Sequence, residues 1–510
     1  MKNPRSTVLA LVVLAGTGLV TAAKAEPSAG PGQPPAPPAA LLAQTLLDEM
    51  RKASGVPGLG AAVVLQGKLV WQGSSGLRHV AKRQPVDADT RFRLASVSKL
   101  FTATALARLA QDGLIDPLAP LSAQADPPAW LPEGWGAITP VQLAAHTAGV
   151  PHYELRDAAR GRRAFNTAQE AAQTHLAGRT LLAAPGQNYR YSSWGYTLLS
   201  AAIEAHSGLG FADYLARHVT AGLAIAPDVS HLRGDDRSSR PYALTPSGAH
   251  EAEPHDYSYS WGGAGLAATP GALALWGGRV MQGELLSERW RQWVWSPQQQ
   301  ADGQTVRERG DAVGIGWRLG QDLQGLPLRH HAGVADGARS ALLLWPTLGL
   351  SVGLLSNALW TTGIERNAEL LSAPFRPPPA DLVASPCPAG AHTLAFSYQE
   401  RTHVVPAQFS DEAGLCSASL QLPEALATVF NAAPQTPRRV VQLVALGAGL
   451  ARAALATPLG LLEWRALGPR AAQLRLPGER VIEVRWLGAS AVISARTAFV
   501  GLESALVVID

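Results

Sequence analysis

Ser96-Val97-Ser98-Lys99 places a hydroxyl and an amine three residues apart in a chain that hardly uses lysine. From Glu26 onward there are 40 basic positions, and only Lys52, Lys68, Lys82 and Lys99 are lysine. Arginine stays protonated in a protein, whereas lysine can lose its proton. A lysine one helical turn beyond a serine is therefore a candidate base beside a candidate nucleophile. A lone Ser-x-x-Lys also arises by chance, so the segments that accompany it decide its meaning.

Three such segments follow in order. Leu143-Ala144-Ala145-His146-Thr147-Ala148-Gly149-Val150 comes first. Tyr189-Arg190-Tyr191-Ser192-Ser193-Trp194-Gly195-Tyr196 follows Pro185-Gly186, and His330-His331-Ala332-Gly333 precedes two apolar strands. Hydrolysis of an ester or amide needs a nucleophile, a base, a proton donor for the leaving group and an oxyanion site. The order and spacing resemble the serine β-lactamase and penicillin-binding-protein superfamily. The likeness is nearest to class C β-lactamases, D-alanyl-D-alanine carboxypeptidases of that branch and their esterase relatives, and it covers about residues 45 to 373.

The resemblance implies a role for each matched position. Ser96 is the nucleophile, at a helix N-terminus whose dipole favours developing negative charge. Lys99 projects from the same helix face, and Tyr191 approaches from the other side to share the proton shuttling. The first base is Lys99 or Tyr191. The oxyanion site is the backbone N–H of Ser96 with that of Val334, the residue after Gly333. His331 stands where the family has lysine or histidine and would orient Tyr191 or the substrate. His146 matches a packing position. The chemistry implied requires neither metal nor cofactor.

Two positions depart from the family pattern. Ser193 replaces the asparagine of Tyr-x-Asn, and a hydroxyl is shorter and offers fewer hydrogen bonds than a carboxamide. Contact with Lys99 and with a substrate amide is expected to weaken. Ala332 replaces the threonine of the Lys/His-Thr-Gly element and removes a hydroxyl suited to a substrate carboxylate. Both changes favour an esterase or a D-amino-acid peptidase over a strong β-lactamase. One competing serine exists. Gly349-Leu350-Ser351-Val352-Gly353 fits a Gly-x-Ser-x-Gly elbow, but that motif needs a strand-to-helix turn and this one lies inside an apolar strand.

The surrounding pattern supplies elements to position these groups. Gly60 to Leu65 and Leu69 to Trp71 read as antiparallel strands about the turn Gln66-Gly67-Lys68. A helix follows Ser96, Thr139-Pro140 caps another, and residues 140 to 235 read as mostly helical. Thr269-Pro270 opens a further helix. Ser340 to Trp345 and Leu348 to Leu355 form a hairpin, and residues 361 to 373 a closing helix. Arg376-Pro377-Pro378-Pro379 reads as a boundary. Beyond it, alternation at 473–476 and 482–486, with apolar runs at 491–494 and 505–509, predicts a small antiparallel β domain.

Bulk properties narrow the partners. With 510 residues and 47% apolar content the chain is globular and multidomain. The net charge is +4, and no lysine/arginine cluster points to nucleic acid. Lys2, Arg5, the apolar run Val8 to Val20 and Ala23-Lys24-Ala25 resemble a secretory signal, with an uncleaved anchor as the alternative. Export implies an oxidising compartment, so Cys387 and Cys416, the two cysteines of the chain, are expected to pair.

The expected organisation is a signal peptide at 1–25, a Pro/Ala-rich linker at 26–40, a hydrolase domain at 41–375 and a β-rich domain at 380–510. The fold class is α/β (α+β): a β-lactamase-like antiparallel sheet flanked by helices, with a helical lobe and a C-terminal antiparallel β domain. The expected function is a periplasmic or secreted serine hydrolase acting through an acyl-enzyme on a small-molecule or peptide substrate, cell-wall fragments included. No stable membrane span is expected after cleavage. The alternative is a penicillin- or cell-wall-binding protein on the same fold, non-catalytic or slowly acylated.

Overall fold

The computed structural model describes residues 38–489 except 124–129, 229–235, 254, 362, 432–436 and 479. The expected signal segment and the apolar runs at 491–494 and 505–509 lie outside the described residues.

The strand Ala338–Trp345 shows how the catalytic framework is layered. All eight residues are buried, and successive side chains point to opposite faces. Leu342 and Leu344 join one hydrophobic core, Leu343 and Trp345 another. This strand lies near the middle of a nine-stranded antiparallel sheet. From one edge, the order runs Gln84–Pro85, Lys68–His79, Gly58–Leu65, Leu350–Ser356, Ala338–Trp345, Pro327–Ala335, Arg318–Gln321, Asp311–Val313 and Arg307–Glu308. The helices Ala39–Ser54 and Ile364–Ser372 cover the Leu343 face. The first of them begins two residues inside the segment expected to be a linker. Helix Pro270–Gln282 and the lobe cover the Leu342 face.

The lobe holds the helices Ser98–Gln111, Pro140–Ala144, Ala168–Leu176, Ser193–Ser207 and Phe211–His218. Thr139 starts the second with a capping box to Gln142, and Thr269 caps Pro270–Gln282. Long irregular stretches separate these helices, so the region is less helical than its sequence texture suggests. Ser351 is fully buried within Leu350–Ser356. It therefore lies in a strand interior and not on a strand-to-helix turn.

The C-terminal strands do more than pair locally. Eight of them close into a barrel, the strand Gly390–Tyr398 pairing with Val481–Ala489 to complete it. Leu394, Phe396, Leu455 and Trp464 fill its interior. Cys387 and Cys416 form a disulfide onto its third strand, Leu415–Gln421. The barrel also shares the Leu343-side core, through Val444, Ala454 and Leu461. Leu461 N–H donates to Asn367 Oδ1 at 2.5 Å, and the side chain of Thr361 donates to Leu459 O at 2.8 Å. The barrel thus packs behind the sheet, and among the described residues no helix is long and apolar enough to cross a membrane.

Candidate active site

Ser96 sits one turn earlier than a simple helix N-terminus. It belongs to a 3-10 turn, Ala95–Val97, that leads into Ser98–Gln111. Ala95 has a φ of 47°, in the left-handed region that a residue with a Cβ seldom occupies. The turn is held from both sides. Leu94 N–H donates to Leu266 O at 2.8 Å, and Leu94 O accepts from Ser340 Oγ at 2.5 Å. A side chain at Gly333 would collide with Leu94 O and Ser340 Oγ. Glycine there lets the strand Pro327–Ala335 lie against the serine turn. Val334 follows and is 57% exposed.

Lys99 is fully buried, and among the described residues no carboxylate pairs with it. Its Nζ lies 3.2 Å from Ser96 Oγ, 2.9 Å from Ser193 Oγ and 2.7 Å from Gly263 O. Burial drives its pKa far below that of a free lysine, and the cation of Arg318 adds to the effect. Ser193 therefore keeps the lysine contact that a shorter side chain was expected to weaken. Gly263 makes this possible, because a Cβ there would lie 2.8 Å from Ser193 O.

Tyr191 stands over the pair, its ring 4.8 Å from Lys99 Nζ. Burial raises its pKa to about 12, against the opposing influence of Arg318 and of hydrogen bonding to Ser96 and Ser193. The phenol is protonated at neutral pH. Two imidazoles hold its segment. His146 Nδ1 accepts from Ser192 N–H at 3.1 Å, and His152 Nδ1 accepts from Ser193 N–H at 3.3 Å. The His146 ring lies 4.3 Å from the Tyr191 ring. Accepting at Nδ1 requires a neutral ring. Burial, with the cation of Arg318 for His146 and that of Arg160 for His152, depresses His146 well below the ordinary histidine value and His152 to about 4.

His331 is also buried, and its Nδ1–H donates to Ala332 O at 2.7 Å. Burial and the Arg318 charge keep it neutral, which leaves Nε2 as an acceptor. It can orient a donor such as Tyr191 or a substrate N–H, but it brings no positive charge. Its neighbour His330 points the other way and binds Asp311 Oδ2 at 2.9 Å.

Sequence reasoning missed the cation of the site. Arg318 makes paired bonds of 2.8 and 2.9 Å to Glu308, whose Oε2 also accepts from Tyr189 OH at 2.7 Å. His152, Tyr153 and the Gly263 carbonyl were also missed.

A serine hydroxyl 3.2 Å from a buried lysine amine, on a sheet capped by a helical lobe, is an arrangement suited to acyl transfer. Comparison with known proteins makes the class specific. The Beta-lactamase family model matches residues 43–373, and the chain belongs to that family. It is similar to the D-alanyl-D-alanine-carboxypeptidase/endopeptidase AmpH of Escherichia coli K12, at 26% identity over 288 residues, 55% of this chain and 74% of that protein. In fold it resembles SurE (TM-score 0.56, 20% identity, 87% of this chain and 98% of that one). It also resembles the octameric penicillin-binding protein homologue from Pyrococcus abyssi (TM-score 0.55, 17% identity, 85% and 97%).

Proposed function

We propose that this chain is an exported hydrolase of small esters or amides, D-amino-acid peptides among them, with weak activity on β-lactams. The observation that carries the reading is the fully buried Lys99, its pKa driven far below that of a free lysine by burial, with its Nζ 3.2 Å from Ser96 Oγ. Ser96 Oγ attacks the substrate carbonyl carbon while its proton passes to Lys99. The tetrahedral oxyanion is met by the N–H groups of Ser96 and Val334. Lys99 is the first base, because Tyr191 is already protonated and cannot accept. The Tyr191 phenol then donates to the leaving group and recovers a proton from Lys99. Water attacks the Ser96 ester by the reverse route and releases the acid.

Substrate preference follows from what the site lacks. Ser193 and Ala332 offer neither the carboxamide nor the second hydroxyl that would grip a β-lactam's amide and carboxylate. The relative named for carboxypeptidase and endopeptidase activity motivates peptide amides as a second substrate class. Export is supported by the charged, apolar and small-residue pattern of the N-terminus and by the disulfide.

Turnover of p-nitrophenyl esters, D-alanyl peptides and a chromogenic cephalosporin tests the reading. Ester or D-peptide turnover well above cephalosporin turnover is expected. Labelling by a fluorescent penicillin with no turnover of any substrate would instead identify a binding protein.

A further inference from the structure

Tyr191 can hand a proton to a leaving group only if its phenol is held in place, and the chain around it is tied down from two sides. On the lobe side, Gly186 N–H donates to Thr147 O at 2.8 Å, Arg190 N–H to His146 O at 2.7 Å and Ser192 N–H to His146 Nδ1 at 3.1 Å. The second tie comes from the edge of the sheet. Residues 298–308 form an arm, bridged at Gln299 and Thr305, that ends in the outermost strand Arg307–Glu308. Ala301 N–H on this arm donates to Gly186 O at 2.8 Å, and Glu308 Oε2 accepts from Tyr189 OH at 2.7 Å.

Glu308 is itself fixed. Arg318 holds both of its oxygens, at 2.8 and 2.9 Å, and a two-point pair of this kind sets the plane of the carboxylate. A carboxylate only accepts, so the Tyr189 proton has one direction to point. The Tyr189 ring stands edge-on to His146 with centroids 5.9 Å apart, and the His146 ring lies 4.3 Å from that of Tyr191. A continuous line of contacts therefore runs from the sheet edge to the phenol over Lys99. We propose that Glu308 and Tyr189 are positioning residues for Tyr191, the bond between them anchoring the proton-donating segment to the sheet. This inference rests on the proposed role of Tyr191 as donor to the leaving group. Its consequence is selective. A p-nitrophenolate leaves without a proton, whereas an alkoxide or an amine must receive one. A shifted phenol slows acylation by alkyl esters and amides and spares p-nitrophenyl esters.

The test uses the full chain, the variants Tyr189→Phe, Glu308→Ala, their double and Tyr191→Phe, and two substrates with one acyl group, ethyl butyrate and p-nitrophenyl butyrate. Tyr189→Phe should lower kcat/KM for the ethyl ester about tenfold or more, and for the p-nitrophenyl ester less than about threefold. Glu308→Ala should show the same bias. The double variant should be within about twofold of Glu308→Ala alone, because both changes remove one bond. Equal losses on the two esters would overturn the proposal, since a merely structural loosening predicts them. Losses that multiply in the double variant would overturn it too, since they mean separate roles. If Tyr191→Phe discriminates between the esters while Tyr189→Phe matches the parent on both, this inference fails alone. If Tyr191→Phe treats the two esters alike, or the parent hydrolyses neither, the underlying reading fails as well.

Discussion

The carbonyl of Gly263 accepts from Lys99 Nζ at 2.7 Å, and this bond restricts the directions in which the amine's lone pair can point. It also explains why no other residue type suits position 99. Arginine would fill the space with a permanent charge and could not accept the Ser96 proton. Lys99→Arg and Lys99→Met should each lower kcat about 10²–10⁴-fold while the fold is retained, the range expected for loss of a general base. Steady-state ester hydrolysis, with circular dichroism as the folding check, measures this.

The depressed basic groups give activity and stability a shared direction with pH. Lys99 must be neutral to act, so kcat should fall as pH drops through its lowered pKa. No matching alkaline fall should occur below about pH 10, because Tyr191 holds its proton up to about 12. His152 is lowered to about 4 in the folded chain against an ordinary value near 6.5. The unfolded chain binds protons first, so the stability contribution is full above about pH 6.5 and is lost as pH falls towards 4. His146 and His331, shifted the same way, add to the loss. Thermal unfolding midpoints from pH 8 to 4 should decline through that window, and a flat series would contradict the neutral-imidazole assignment.

Gly333 lets the strand Pro327–Ala335 lie against the serine turn by having no side chain. Gly333→Ala would drive a methyl into Leu94 O and Ser340 Oγ. The strand must then shift away from Ser96. Activity should fall at least tenfold, with about 1–3 kcal/mol of destabilisation from overpacking. Ester kinetics and urea denaturation check the two parts separately.

Behind the sheet, Arg376 and Asp322 form a buried ion pair, and Trp345 Nε1 donates to the same carboxylate at 2.8 Å. Arg376→Leu leaves Asp322 buried without its partner and should cost about 3–5 kcal/mol. The sheet separates this pair from Ser96, so kcat per titrated active site should stay within about twofold. A large kcat loss at full occupancy would show that the barrel side communicates with the site.

The sequence carried the local parts of the site and little of its tertiary wiring. Ser96 and Lys99 share a helical turn, so their spacing shows in the chain. Tyr191, His331 and Gly333 could be placed through the order of segments. The bonds of His152 to Ser193 N–H and of Arg318 to Glu308 have no such trace, since each joins loops or edge strands that meet only in the folded chain. Histidine 331 illustrates the same limit. Its identity was legible, but its neutrality depends on burial near Arg318. Alternation exposed the C-terminal strands, whereas barrel closure joins the strand beginning at Gly390 to one ending at Ala489. No short-range pattern encodes that pairing.

The most direct test of the central claim is to map the covalent adduct. The full chain is treated with a fluorophosphonate or quenched during ester turnover, digested and sequenced by mass spectrometry. The adduct should lie on the peptide containing Ser96, disappear in Ser96→Ala and form much more slowly in Lys99→Arg. An adduct on Ser351 or any other residue, or undiminished turnover by the Ser96→Ala protein, would contradict the account.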